Sequence, residues 1–294
     1  MNNLSNIKNN NTYTTSLIGK RKENEDAEAI LLNLDSINKN FSNINFFGLF
    51  DGHGGNFVSL FLKKNLIKFF VNKKIEFPLK NEQVIQIYEY INKELREKFA
   101  KETLHTGSTA IIVIEFEKKI NEKNILKGDS INNTTQITQN KYLNILNSGD
   151  SRCVICRDNI AIALTNDHKP NWPFEKRRIE SLGGKIKFDG FDFRVGDLSV
   201  SRAFGDFDNK FITSLPDMYK YKLNLHDKFI IIACDGLWDV MSNHDAVNFI
   251  LDNCYDKFLK NRKNKTINIA EKLANFAISS GSTDNVSVIV HFFY

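Results

Sequence analysis

The sequence predicts an α+β protein in which helices and strands are segregated along the chain. Three observations carry this. Helical periodicity follows Gly55 and returns towards the C-terminus, the middle of the chain consists of short β-branched runs, and tight turns join those runs. At 294 residues, with 41% hydrophobic and 26% charged residues, the chain can bury a sizeable core and has an ordinary globular composition.

Residues 1–13 are Asn-rich and polar, and are expected to form a disordered N-terminus ahead of a single domain over residues 14–294. Lys22-Glu23-Asn24-Glu25-Asp26 is too charged for a core and reads as a solvated turn. A linker is expected around residues 38–43. It is followed by a buried strand, Phe46-Phe47-Gly48-Leu49-Phe50, running into Asp51-Gly52-His53-Gly54-Gly55. Residues 56–74 place Val58, Phe61, Leu62, Leu66 and Phe69 on one helical side. A second helix, over about 82–100, places Val84, Tyr88, Ile91, Leu95 and Phe99 likewise.

From Gly107 the pattern changes. Ser108 to Phe116 is β-branched and apolar, whereas residues 118–140 are rich in Asn, Thr and Lys without periodicity and read as a flexible insertion. Residues 142–148, 152–156 and 160–164 read as strands, with turns at Gly149-Asp150-Ser151 and Asp158-Asn159. Pro173 opens a short helix through Leu182, closed by Gly183-Gly184, and residues 188–194 read as irregular. Lys228 to Cys234 is a near-continuous apolar strand. Ser242 to Asp245 has capping-box spacing for a helix to about Arg262, and Ala270, Leu273, Phe276 and Ala277 mark another helix that Gly281 stops. A last strand covers residues 286–293.

Composition excludes several classes. Lys+Arg 40 against Asp+Glu 35 gives +5, too mild and too dispersed for a nucleic-acid partner. There is no long apolar span and no signal-peptide core, and the second residue is Asn2 where myristoylation needs a glycine. No membrane association is therefore expected, and the protein reads as intracellular, cytoplasmic or nuclear. Cys153 and Cys156 form C-x-x-C, but in a strand-like run with no second Cys/His pair at metal spacing. With Cys234 and Cys254 they read as buried reduced thiols.

The recurring chemical event is a strand that ends in an acid: Phe50-Asp51-Gly52, Ser148-Gly149-Asp150 and Cys234-Asp235-Gly236, with Asp284 just before the last strand. Taken alone, Asp51 to Gly55 has a lesser alternative reading as a Gly-rich turn with a solvated Asp and His. Three such strand ends predict a shared carboxylate cluster, which repels itself unless cations neutralise it. An all-oxygen donor set favours Mg²⁺ or Mn²⁺ over zinc.

With these motifs in order, residues 14–294 resemble the metal-dependent Ser/Thr protein phosphatases of the protein phosphatase 2C family. The resemblance is carried by Gly19 to Asp26, Phe50 to Gly55, Gly107-Ser108-Thr109-Ala110 and Gly149-Asp150-Ser151-Arg152. It continues through Asp167-His168-Lys169-Pro170, Ser201 to Asp206, Asp235-Gly236-Leu237-Trp238-Asp239 and Ser282-Thr283-Asp284-Asn285. It implies a four-layer α/β/β/α sandwich of two antiparallel sheets flanked by helices, with a metal pair at one end. Asp51 would bridge two Mg²⁺ or Mn²⁺ ions, joined by Asp235 and Asp284 on one and by Glu25 and the Gly52 carbonyl on the other. Asp150 with Asp235 would form a weaker third site, and Asp26, Asp239 and Asn285 would hold ligands or waters.

The implied reaction is hydrolysis of phosphoserine or phosphothreonine in phosphoproteins by direct attack of a metal-bridging hydroxide. Arg21 would neutralise the phosphoryl oxygens and His53 would protonate the leaving oxygen. His105, His168, His226, His244 and His291 read as structural or surface residues, and Arg202 as half of a buried ion pair. Two departures stand out: the long polar stretch at 118–140, and Phe193 where Trp commonly precedes Arg-Val in the family. Competing readings are a phosphatase-fold pseudoenzyme acting as a binding or regulatory module, and a metal-dependent nuclease. The first would lack a ligand that is present here, and the second would need a basic groove. A monomer is the expected state.

Overall fold

The computed structural model describes residues 11–34, 41–70, 72, 75, 77–118 and 141–294. Strands β1 (Thr12–Leu17) and β2 (Ala27–Leu31) precede the long β3 (Phe41–Phe50), which delivers Asp51 and then the two-residue β4 (Gly52–His53). Helices α1 (Phe57–Phe70) and α2 (Asn81–Lys98) follow. The middle of the chain supplies β5 (Gly107–Ser108), β6 (Ala110–Lys118), β7 (Lys141–Ser148), β8 (Arg152–Arg157) and β9 (Ile160–Ala163). After α3 (Pro173–Ser181) come the hairpin β10 (Ile186–Phe188) and β11 (Phe193–Val195), then β12 (Phe204–Gly205), β13 (Asp217–Lys222) and β14 (Asp227–Ala233). The one-turn α4 (Asp235–Trp238), α5 (Asn243–Cys254), α6 (Ile269–Ser279) and β15 (Val286–Phe292) complete the chain.

Two five-stranded sheets, β1-β15-β14-β8-β9 and β13-β7-β6-β3-β2, are antiparallel throughout. Their side-chain alternation builds three apolar layers. Phe47 and Leu49 of β3 meet Ile230 and Ile232 of β14 between the sheets, while Phe46 and Phe50 turn outward onto Leu62, Leu66, Tyr88 and Ile91 of α1 and α2. On the other side Phe229 and Ile231 pack against Ile250, Leu251 and Leu273 of α5 and α6. Burial on both faces explains why these strands are near-continuous apolar runs rather than alternating ones. The expected four-layer sandwich is the observed architecture.

Several local expectations are corrected. Thr12 and Tyr13, placed in the disordered N-terminus, belong to β1 and pair with His291 and Val290. The linker at 38–43 has its last three residues in β3. Residues 188–194 are irregular only at 189–192: Phe188 pairs with Phe193 across a hairpin, their rings 5.1 Å apart. The helix from Ser242 ends at Cys254 instead of Arg262, because Tyr255 turns extended and bridges back to Arg262. There the Arg262 guanidinium covers the Phe292 ring at 3.7 Å, so tertiary packing stops a helix that no Gly or Pro would stop. The first helix ends at Phe70, and residues 71, 73 and 74 lie outside the described residues, as do 1–10, 35–40 and the stretch 119–140.

All four cysteines are buried and unpaired. Among the described residues no helix is long and apolar enough to cross a membrane.

Candidate functional site

The antiparallel order brings the C-terminal ends of β3, β7 and β14 and the approaches to β2 and β15 to one end of the sandwich. Asp51, Asp150 and Asp235 emerge there from different strands, each with a carboxylate oxygen within 4.8 Å of the others. Asp26, Asp51 and the Cys234 sulfur meet the same limit. Arg21, Glu25, Asp51, Gly52, His53, Asp150, Asp235 and Asp284 line a common cleft.

Local interactions place Asp51, Gly52 and Glu25. Thr109 N–H donates to the Asp51 carbonyl (2.9 Å) and the Asp51 N–H to Thr109 Oγ1 (3.3 Å), which fixes the turn after β3. Gly52 is required because a Cβ there would lie 2.3 Å from the Glu25 carbonyl oxygen, so the Glu25 segment crosses directly over it. That close approach sets Glu25 beside Asp51. Asn285 completes the arrangement: its side-chain oxygen accepts from Glu25 N–H (2.8 Å), and its Nδ2 donates to the Ile18 and Glu23 carbonyls, both at 2.9 Å.

Of the expected outer residues, Asp26 and Asn285 are buried and Asp239 is exposed. Asn285 clamps the loop carrying Arg21 and Glu25. Asp26 accepts from Ser287 Oγ at 2.6 Å, and Asp239 closes α4 with its N–H on the Asp235 carbonyl (2.8 Å).

The electrostatics are those of a crowded anion cluster. Burial, and then the charges of Asp235, Asp26, Asp150 and Asp284, hold the Asp51 carboxyl well above its ordinary range. Burial and then Asp150 do the same to Asp235, and burial raises Asp26 to about 6. One oxygen of Asp150, Oδ1, is buried without a hydrogen-bond partner. Clustered carboxylates, an orphaned buried acceptor and all-oxygen donors fit one or more small divalent cations.

Arg21 is exposed on the rim, where Nη2 donates to Asp284 Oδ2 at 2.7 Å. His53 is half-buried, with Nε2 2.7 Å from Asp206 Oδ2. Burial pulls its pKa down, but the hydrogen bond and charge of Asp206, with Asp150 and Glu25, raise it overall.

Three residues on or beside this cleft were not singled out from sequence. Asp206 closes the quoted Ser201 to Asp206 motif, which was the available signal, but stands 153 positions from His53; its backbone is left-handed (φ 51°). Lys169 lies in the quoted Asp167 to Pro170 motif and donates to Asp150 Oδ2. Arg194, on β11 of the hairpin, lines the cleft and donates to the Asp197 carbonyl at 2.7 Å.

Of the other histidines, His105, His226 and His244 make surface contacts. His168 is fully buried: Nδ1 accepts from Gly149 N–H at 3.1 Å and Nε2 stands 3.2 Å from Asp217, which ties it to the turn that carries Asp150. Arg202 forms the expected ion pair, with Glu175 Oε1 at 2.7 Å and Asp217 Oδ1 at 2.9 Å.

The chain matches the family model Protein phosphatase 2C over residues 13–286. It is 46% identical over 173 residues to a PP2C-like domain-containing protein of Acanthamoeba polyphaga mimivirus, spanning 53% of this chain and 97% of that protein. It is 33% identical over 297 residues to the integrin-linked kinase-associated serine/threonine phosphatase 2C of Homo sapiens, spanning 95% and 71%. The solved structure of a phosphatase from a pathogenic strain of Toxoplasma gondii aligns with a TM-score of 0.74 at 25% identity, over 96% of this chain and 92% of that one.

Proposed function

The chain belongs to the protein phosphatase 2C family, and we propose that it is a Mg²⁺- or Mn²⁺-dependent protein serine/threonine phosphatase that hydrolyses phosphoserine and phosphothreonine by direct attack of water. The observation that carries this is the convergence of Asp51, Asp150 and Asp235 from separate strands to within 4.8 Å at one cleft. Asp51 would be shared by two ions, one also held by Asp235 and Asp284, the other by Glu25 and the Gly52 carbonyl. Asp150 and Asp235 would hold a weaker third. When bound, such ions supply a water of lowered pKa and positive charge against the phosphoryl oxygens.

The chain's own residues do the rest. Arg21, on the exposed rim, presents a planar fork that meets two phosphoryl oxygens at once. His53 is the general acid. An imidazolium carries two protons, and Asp206 engages the one on Nε2, which leaves the Nδ1 proton for the departing serine or threonine oxygen. Asp206 also raises the pKa of that imidazole, favouring its charged form. The substrates would be phosphoproteins met as a monomer in the cytoplasm or nucleus. Phosphate release from a phosphothreonine peptide with Mn²⁺, and its loss in EDTA, tests the reading; no release from folded protein at any Mn²⁺ or Mg²⁺ concentration contradicts it.

A further inference from the structure

The cleft acids already contain a cation of the chain's own. Lys169 Nζ donates to Asp150 Oδ2, while Asp150, 1% exposed, leaves Oδ1 without a partner. The same ammonium lies in the field of Asp235 and Asp239. Its placement is built in by the residues before it. Asp167 receives two hydrogen bonds from the Arg152 guanidinium, at 2.9 Å and 2.5 Å, and His168 takes the N–H of Gly149. Three consecutive residues of one loop thus grip the turn that carries Asp150.

We propose that Lys169 is the resident counter-ion of the pocket formed by Asp150, Asp235 and Asp239, and that a third divalent ion binds there only by displacing its charge. The inference rests on the metal-dependent reading above. A buried carboxylate without a counter-charge is strongly unfavourable, and Lys169 supplies that charge when no third ion is bound. A lysine suits an exchangeable role because its point charge sits on a flexible four-carbon stem, whereas a bidentate arginine would be held in place. An incoming dication must break this pair and work against a positive charge a few ångströms away. Lys169 is therefore a positioning and affinity-setting residue that makes the third site weaker than the first two.

The test is a Mn²⁺ titration read by calorimetry and by the electron paramagnetic resonance of free Mn²⁺, without substrate. Wild-type protein should show two tight sites and one weak one. Lys169→Met should tighten the weak class by at least about tenfold and leave the tight class unchanged, while Lys169→Arg should keep the third site weak. A folded Lys169→Met protein whose weak class is unchanged or weaker overturns the proposal, since Lys169 would then merely tether Asp150. If Lys169→Met does not fold, the wild-type protein decides through the ¹⁵Nζ resonance of Lys169 during Mg²⁺ titration. That resonance should shift with the weak class, and a signal that does not move overturns the proposal. Absence of the two tight sites would instead count against the metal-dependent reading itself.

Discussion

His53 Nε2 lies 2.7 Å from Oδ2 of Asp206, a carboxylate only 2% exposed. The pair is made possible by a glycine: a Cβ at Gly107 would fall 2.0 Å from that oxygen and 2.5 Å from the imidazole nitrogen. Two segments far apart in sequence are thereby joined where the leaving group would be protonated.

Asp206→Asn keeps the shape of this pair and removes its charge. The His53 pKa, raised in part by Asp206, should fall, so the imidazolium is lost at lower pH. The alkaline limb of the kcat profile should move to lower pH and kcat above neutrality should drop by about tenfold or more, with the Mn²⁺ isotherm unchanged. His53→Ala should lower kcat by ~10²–10⁴ while metal binding survives. Unaltered profiles in both variants would remove His53 from the proton transfer.

The acid cluster predicts a stability penalty in metal-free protein. Asp26 is raised from 3.8 to about 6, and Asp51 and Asp235 well above 3.8, so the folded state binds more protons than the unfolded one across this window. Metal-free protein should lose stability as pH rises from about 4 through 6, and Mn²⁺ should abolish the loss. Asp51→Asn should melt higher than wild type in EDTA at pH 7, by roughly 2–4 °C per kcal/mol relieved, yet gain nothing from Mn²⁺. Differential scanning calorimetry reads both; a wild-type curve flat with pH in EDTA speaks against the cluster.

The Glu175 network is the structural counterpart of the cleft. Glu175, 1% exposed, lies between Arg202 at 2.7 Å and Arg178 at 2.8 Å. Glu175→Ala leaves two partly buried guanidinium groups short of a carboxylate and should cost about 3–5 kcal/mol, measured as a fall in the urea midpoint. A loss under about 1 kcal/mol would mean that the pair behaves as a surface one.

Much of the site is legible in the sequence because it is written as a local rule, an apolar strand ending in an acid, repeated at Asp51, Asp150 and Asp235. What was missed follows from physics that acts at a distance. The strands β2 and β13 are sheet edges, only partly covered, so their apolar enrichment is weak: Asp217 to Lys222 alternates tyrosine with lysine. The end of α5 at Cys254 is decided by the Arg262–Phe292 contact, which no helix propensity encodes. The roles of Asp206 and Lys169 depend on partners 153 and 19 positions away.

A buried polar link joins the two sheets on β6 and β15, and it too was invisible to periodicity. Glu115 accepts from Asn45 Nδ2 at 2.6 Å and stands 3.2 Å from His291 Nε2. Burial raises the Glu115 pKa, but His291, Lys141 and Asn45 together depress it from 4.5 to about 2. Its contribution is present above the unfolded value and is lost as pH falls from 4.5 towards 2. Glu115→Gln should therefore flatten the acid limb of a stability profile over this range. An acid limb identical to wild type would show that the link carries no stability.

The most direct measurement compares phosphate release from a phosphothreonine peptide by wild type and Asp235→Ala at saturating Mn²⁺, both checked for folding. The account predicts Mn²⁺-dependent release by wild type and none above background by the variant. Equal release by the two proteins would contradict it, because the chemistry would then not depend on the carboxylate cluster.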